Sequence, residues 1–462
     1  MSHFSLTKLT LGVTTALTAS LSFAAGMDRS GQDVTAFLQD GTYAEAVYTH
    51  IDANVTGKDT AGKDTGDIAE AYDFFRYGVK ADINDTFSVG VLYDEPFGAA
   101  IKYDGNSNFV ADKNATATVF AQAINQATKA QLNDSFTYRR AIKPVLDSVK
   151  SPQRALAVAS TLETNSAQAK PIADRLRAAA AHAEATDGQK TNVEIRTNNL
   201  TMLVGAKLGA NKNFQIYGGP VAQRVKGEVH LRGPAYQVMT GYDAKIATDT
   251  QLGWAAGLAF YKPEIALKAA LTYRSEIDHK SSISETVPVV NKQTHRDFGV
   301  TLPNSWNLDF QTGVNPTTLL TAKVRYVPWS NFDIRPPTYG ETTTQRDGGN
   351  KPALPIISYD KDQWSAEVGL GKRVTDRLAV SGVVGWDSGT GSSASSLGPV
   401  NGYYSVGGGV KYNFTPEWAL SVGGKYLKFG DATAELPNGK VVGEFKDNDG
   451  YAVGVKLAYQ GK

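Results

Sequence analysis

The sequence predicts an all-β transmembrane fold: an antiparallel outer-membrane β-barrel of about fourteen strands, with a short N-terminal hatch and a helical extracellular loop insertion. Three observations lead there. Segment after segment alternates apolar and polar residues with period two, short turns alternate with long connections, and aromatic residues cluster on the apolar face near segment ends.

In chain order, a weakly basic start, Met1 to Lys8, precedes an uncharged Leu/Ala/Thr-rich run from Leu9 to Phe23. Small residues at −3 and −1, Ser22 and Ala24, fit signal-peptidase cleavage, so residues 1–24 are expected to be a signal peptide. Residues 25–42 precede the first alternating segment and are expected to form a short hatch, with the barrel spanning 43–462. In one segment Ile265, Leu267, Ala269, Leu271 and Tyr273 oppose Lys268, Thr272, Arg274 and Glu276. In the last, Tyr451, Val453, Val455, Leu457 and Tyr459 oppose Gly454 and Lys456. Turns such as Asp82–Asp85, Gly209–Asn213 and Asn315–Thr317 are short. Connections such as Gly57–Gly66, Arg232–Thr250, Ser282–Leu302 and Pro336–Lys361 read as long loops. A soluble β-sandwich would alternate too, but it need not place Trp254, Trp306, Trp364, Trp386 and Trp418 on the apolar face near strand ends. The apolar face is expected to meet lipid and the polar face to line a lumen, closure satisfying every backbone polar group.

The insertion at 104–191 differs. Apolar pairs at helical spacing, Phe120/Ile124, Val145/Val149 and Ile172/Leu176, predict helices across Ala115–Gln189, broken at Pro144, Pro152 and Pro171. Above the barrel mouth, these helices form either an apolar cup or a lid that packs on itself.

Composition narrows the function. Of 462 residues, 47 are Lys or Arg and 46 Asp or Glu, so the balance of 47 − 46 = +1 favours no nucleic-acid partner. A mean hydropathy of −0.29, with no long apolar run beyond the N-terminus, excludes a helical membrane protein. There is no Cys, and the six His are scattered without a metal-binding pair. No nucleophile elbow or phosphate loop occurs, so neither an enzyme, a cofactor nor a metal is expected.

The strand Ala270-Leu271-Thr272-Tyr273-Arg274-Ser275-Glu276 resembles the matching strand of the FadL/TodX outer-membrane transporters of long-chain fatty acids and other hydrophobic compounds. The likeness continues through Thr301–Trp306 and Val324–Phe332, and upstream through Val47–Gly57 and Phe97–Ala100. The resemblance implies a monomeric fourteen-stranded barrel with an N-terminal hatch inside it. It also implies a site for a hydrophobic small molecule, and release into outer-membrane lipid through a gap beside a kinked third strand. Pro96, Phe97 and Gly98 offer a physical basis for that kink: Pro96 lacks an N–H, Gly98 a side chain. The hatch is shorter than the family's, and the helical insertion follows the third strand.

A fatty acid needs apolar surface for its tail and a cation for its carboxylate. By resemblance to a basic pair of the family's fifth strand, Arg224 and Lys226 are the first candidates for the head group. Arg274 and Arg325 are alternatives by inward parity, although Arg274 with Glu276 also suits a lumen salt ladder. The expected function is passive uptake of hydrophobic compounds, long-chain fatty acids foremost, across a Gram-negative outer membrane. A general diffusion porin, and a surface adhesion or structural protein, are the alternatives.

Overall fold

The computed structural model describes residues 27–165, 169–346 and 353–461; the expected signal peptide and the first two hatch residues lie outside them. The alternating segments become β1 (Tyr43–Asn54), β2 (Tyr72–Asp82), β3 in two halves (Phe87–Asp94 and Gly98–Lys102), β4 (Asn192–Leu208), β5 (Phe214–His230) and β6 (Asp243–Lys262). They continue as β7 (Leu267–Arg274 and Ile277–Val287), β8 (Lys292–Leu302 and Ser305–Asn315), β9 (Thr318–Val327) and β10 (Gln363–Arg373). The last four are β11 (Leu378–Asp387), β12 (Tyr403–Asn413), β13 (Trp418–Phe429) and β14 (Asp449–Gln460). Each strand pairs antiparallel with the next, and β14 pairs with β1 from Tyr43↔Gln460 to Asn54↔Asp449, so fourteen strands close into one barrel as expected.

Period two decides which face each side chain takes. Along β10, Trp364, Val368 and Leu370 are exposed; along β14, Tyr451, Val453, Val455 and Leu457 are. Such exposed apolar residues recur on nearly every strand, a jacket that water would not tolerate and lipid would. Aromatic side chains ring its upper edge: Trp254 packs on Tyr273 at 5.1 Å, Tyr273 on Trp306 at 4.7 Å, and Tyr326 on Trp364 at 4.7 Å. Among the described residues no helix is long and apolar enough to cross a membrane.

Two connections differ from the reading of the sequence. Ser282–Leu302 is no long loop, because β7 and β8 run on as a tall hairpin turned by Pro288–Val290. The loop expected at Arg232–Thr250 is confined to Leu231–Tyr242, since β6 begins at Asp243. The other loops of this end converge on the barrel mouth, where Gly57–Asp59, Ser393–Ser395, Ala432–Glu435 and Val441–Phe445 form a small sheet.

Between β3 and β4 stand α1 (Lys113–Gln131), α2 (Lys143–Asp147), α3 (Pro152–Asn165) and α4 (Lys170–Thr186). Asp112 caps α1, accepting from the Ala115 N–H at 2.7 Å, and Pro152 and Pro171 sit in the first turns of α3 and α4. Phe120, Ile124, Ile172 and Leu176 join one apolar cluster, so the helices pack chiefly on each other.

Candidate functional site

The barrel interior is not uniformly polar. Its upper part is apolar, built where inward strand residues such as Phe74, Ile101, Val193 and Val229 meet loop residues such as Tyr103, Phe109, Tyr236, Trp329 and Phe445. Alternation in the strands cannot reveal this, because loops folded into the mouth bury inward faces that would otherwise be wet. Aromatic contacts run down through the region: Tyr359 lies 5.4 Å from Trp329, and Trp329 lies 5.4 Å edge-on from Phe97.

Below this level the lumen is ionic and holds the hatch. Asp28 accepts a paired interaction from Arg325, Nε at 2.5 Å and Nη2 at 3.1 Å, and Arg325 Nη1 donates to Asn307 at 2.7 Å. Lys323 reaches Asp33 at 2.5 Å and Asp309 at 3.4 Å, while Arg76 spans Asp33 and Glu45. Phe37 of the hatch fills a recess that exists because β3 and β4 carry inward glycines. A Cβ at Gly90 would stand 2.6 Å from the Phe37 ring, and one at Gly205 3.0 Å.

Phe97 sits where the wall is incomplete. Between Asp94↔Asn199 and Gly98↔Arg196, β3 holds one residue more than β4, a bulge containing Glu95, Pro96 and Phe97. On the other side, the β2–β3 ladder ends at Tyr77↔Tyr93, with pairing resumed only near an isolated Ala69↔Ile101 bridge. The hatch occupies the vacated edge: Gly98 N–H donates to the Met27 carbonyl at 2.8 Å, and Arg29 N–H donates to the Pro96 carbonyl at 2.7 Å. The Tyr72 ring fills the remaining space, its hydroxyl donating to Glu95 at 2.8 Å. The Arg29 guanidinium lies 3.4 Å from the ring centre and that of Arg196 4.9 Å.

The structure separates the four sequence-predicted cations. Arg224 and Lys226 alternate with buried Gln223 and Val225, are exposed on the outer face of β5, and point away from the lumen. As head-group ligands within the barrel they are therefore corrected: the backbone wall stands between them and any luminal solute. Arg325 points inward but is occupied by the hatch. Arg274 is buried, donates from Nη1 to Thr201 at 2.9 Å, and leaves Nε without a partner among the described residues. Asn199 Nδ2 is likewise buried and unpartnered, and both residues line one cavity of about 10 Å³ with Gln32, Phe97, Val221 and Ile277. Tyr72, Arg29 and Asn199 were missed because no spacing joins residues that meet only across a broken ladder. One signal was present: buried inward cations need counter-charges, and the hatch carries Asp28 and Asp33.

Two larger cavities lie at the ends. One of about 600 Å³ lies between α1, α4 and the β7–β8 tip, against Phe120, Ile124, Ala127, Val289 and Val290. The other, about 650 Å³ on the short-turn side, is bordered by Asp40, Asp82, Lys207 and Lys268.

No protein-family model and no curated protein sequence matches the chain. Solved structures do. A FadL homologue of Pseudomonas aeruginosa superposes with a TM-score of 0.62 at 14% identity, covering 97% of both chains. The toluene transporter TodX of P. putida gives 0.51 at 10% identity over 95% of this chain and 94% of its own. The Ralstonia pickettii toluene transporter TbuX gives 0.51 at 9% identity over 97% and 100%. Fourteen antiparallel strands closed on themselves, superposed over nearly the whole of both chains, establish that this chain has the barrel fold of the FadL and TodX channels.

Proposed function

We propose that the protein is an outer-membrane channel for passive passage of hydrophobic compounds, long-chain fatty acids foremost. The observation that carries this reading is the incomplete wall beside Pro96. An apolar interior reaches from the mouth through Trp329 to Phe97, and there the β2–β3 ladder is absent and, among the described residues, the hatch and Tyr72 fill the opening. An acyl chain gains roughly 0.8 kcal/mol per buried CH₂ in the apolar part. It would lose that gain crossing the ion pairs of Asp33, Lys323, Arg76 and Glu45 below, so lateral exit at the gap is the lower route. Capture would begin in the groove of α1 and α4, and the unpartnered Arg274 and Asn199 donors would take the carboxylate as Gln32 moves away with the hatch. The partner is the hydrophobic solute; the P. putida and R. pickettii structures are of toluene transporters, which supports this class.

Uptake of labelled oleate by cells with and without the gene is the primary test; equal rates would reject the reading. Deleting Pro96 removes the residue by which β3 outnumbers β4; a straightened β3 is expected to pair with β2 beyond Tyr77↔Tyr93 and narrow the gap, bringing uptake down to that of cells lacking the gene. A stable, large conductance in planar bilayers would favour a water-filled porin instead, which the packed lumen argues against.

A further inference from the structure

Resting on the placement of the barrel in an outer membrane, we propose that Arg196, Arg224 and Lys226 form an outward-facing clamp for the phosphates of the anionic lipid in the outer leaflet. On the wall made by β4, β5 and β6, residues in register form rows of successive height. Leu200, Ala222 and Leu252 form one row, with Leu200 and Leu252 exposed, above the exposed girdle residue Trp254. The next row is Asn198, Arg224 and Thr250, and the one above pairs Arg196 directly with Lys226. Apolar side chains thus give way to cations within one pleat, roughly 7 Å along the strand, at the depth where acyl chains end and headgroups begin.

Two of these three cations have no carboxylate partner among the described residues. Arg196 and Lys226 face each other across the ladder, where like charges repel at a separation of roughly 5 Å. Among the described residues Arg196 pairs with Glu194 at 2.5 Å and stands over the Tyr72 ring, Arg224 and Lys226 make no ion pair, and Glu228 lies one row further from the membrane. A phosphate entering beside the aliphatic row would neutralise the opposed pair and the Arg224 below it, and guanidinium groups suit its geometry. The backbone wall keeps a luminal solute from Arg224 and Lys226, whereas headgroups at this height would lie against them.

The test uses the full protein in dodecyl maltoside micelles doped with diphosphoryl lipid A or with the same lipid dephosphorylated, bound lipid being counted by native mass spectrometry. Wild type should retain the phosphorylated lipid preferentially, and R224Q/K226Q should weaken its retention about thirtyfold, the effect of removing two juxtamembrane cations at about 1 kcal/mol each. K372Q/R373Q, at the opposite rim, should match wild type. Equal retention by R224Q/K226Q and wild type, in protein that still runs as a folded, detergent-dependent barrel, overturns the clamp alone. Indifference of wild type to the phosphates overturns it as well. So does a variant that loses labelled oleate but keeps lipid A, which would assign the pair to a fatty-acid carboxylate. A protein soluble without detergent overturns the membrane placement, and the clamp with it.

Discussion

Arg325 shows how one side chain can decide what a hatch does. Arg325 and Asp28 are both buried, so removing one leaves the other an unpaired buried charge, and R325M is expected to destabilise the folded barrel by about 3 kcal/mol in denaturant titration. D28N/R325M, which removes both charges, should cost less than the sum of the single changes. A second residue-scale outcome concerns Gly90: a valine there collides with Phe37, and G90V should unseat the hatch and raise single-channel conductance over wild type. Side-chain direction was legible for Arg224 and Lys226, since counting by two from the exposed Ile216 reaches both. The resemblance to a basic pair drew them inward against that count. The orphaned donors of Arg274 and Asn199 were not legible, because their isolation depends on what Thr201, Gln32 and Phe97 leave unfilled.

Among the elements, the helical insertion has its own acid sensitivity. His182 on α4 stacks on Phe120 at 5.4 Å, and its Nε2 is buried without a partner among the described residues. Burial, with the nearby Arg232 guanidinium, holds the imidazole below its ordinary value. The folded form therefore resists protonation, and the stability this neutral ring contributes is present above the ordinary imidazole value of about 6.5 and is lost as pH falls through and below it. Amide exchange corrected for intrinsic rates should show α1 and α4 less protected at about pH 5 than at about pH 7.5, and H182Q should flatten the difference. The helices were readable from Phe120/Ile124 and Ile172/Leu176, whose spacing survives any tertiary context. The β7–β8 hairpin was not. Above the membrane its outward residues, Ser282, Ser284, His295 and Asp297, need no apolar character, so the segment carries the composition of a loop while keeping a full ladder. The bulge at Pro96 followed from ring chemistry, but the missing β2 partner depended on where Tyr72 and Met27 settle.

Taken whole, the molecule is an apolar exterior around an interior divided by height. Of its six tryptophans, Trp254, Trp306, Trp364, Trp386 and Trp418 are exposed on the wall and Trp329 lies fully buried in the upper core. Reconstitution into brominated lipid should quench most of the fluorescence and leave a residue that W329F removes; unquenched emission would deny the lipid contact. Strand number and closure were readable because turn spacing and period two are properties of backbone geometry. The apolar upper interior was hidden, since Tyr103, Phe109, Tyr236 and Phe445 sit in loops whose destination no local pattern encodes. The joint between β1 and β14 carries a consequence for biogenesis. Its twelve matched positions unite the first strand with the last, so the cylinder stays an open ribbon with two bare edges until the final segment arrives. Asp28 and Asp33 are gripped by β9 on the facing wall, so the closing seam and the grip on the plug lie on different sides of the finished cylinder.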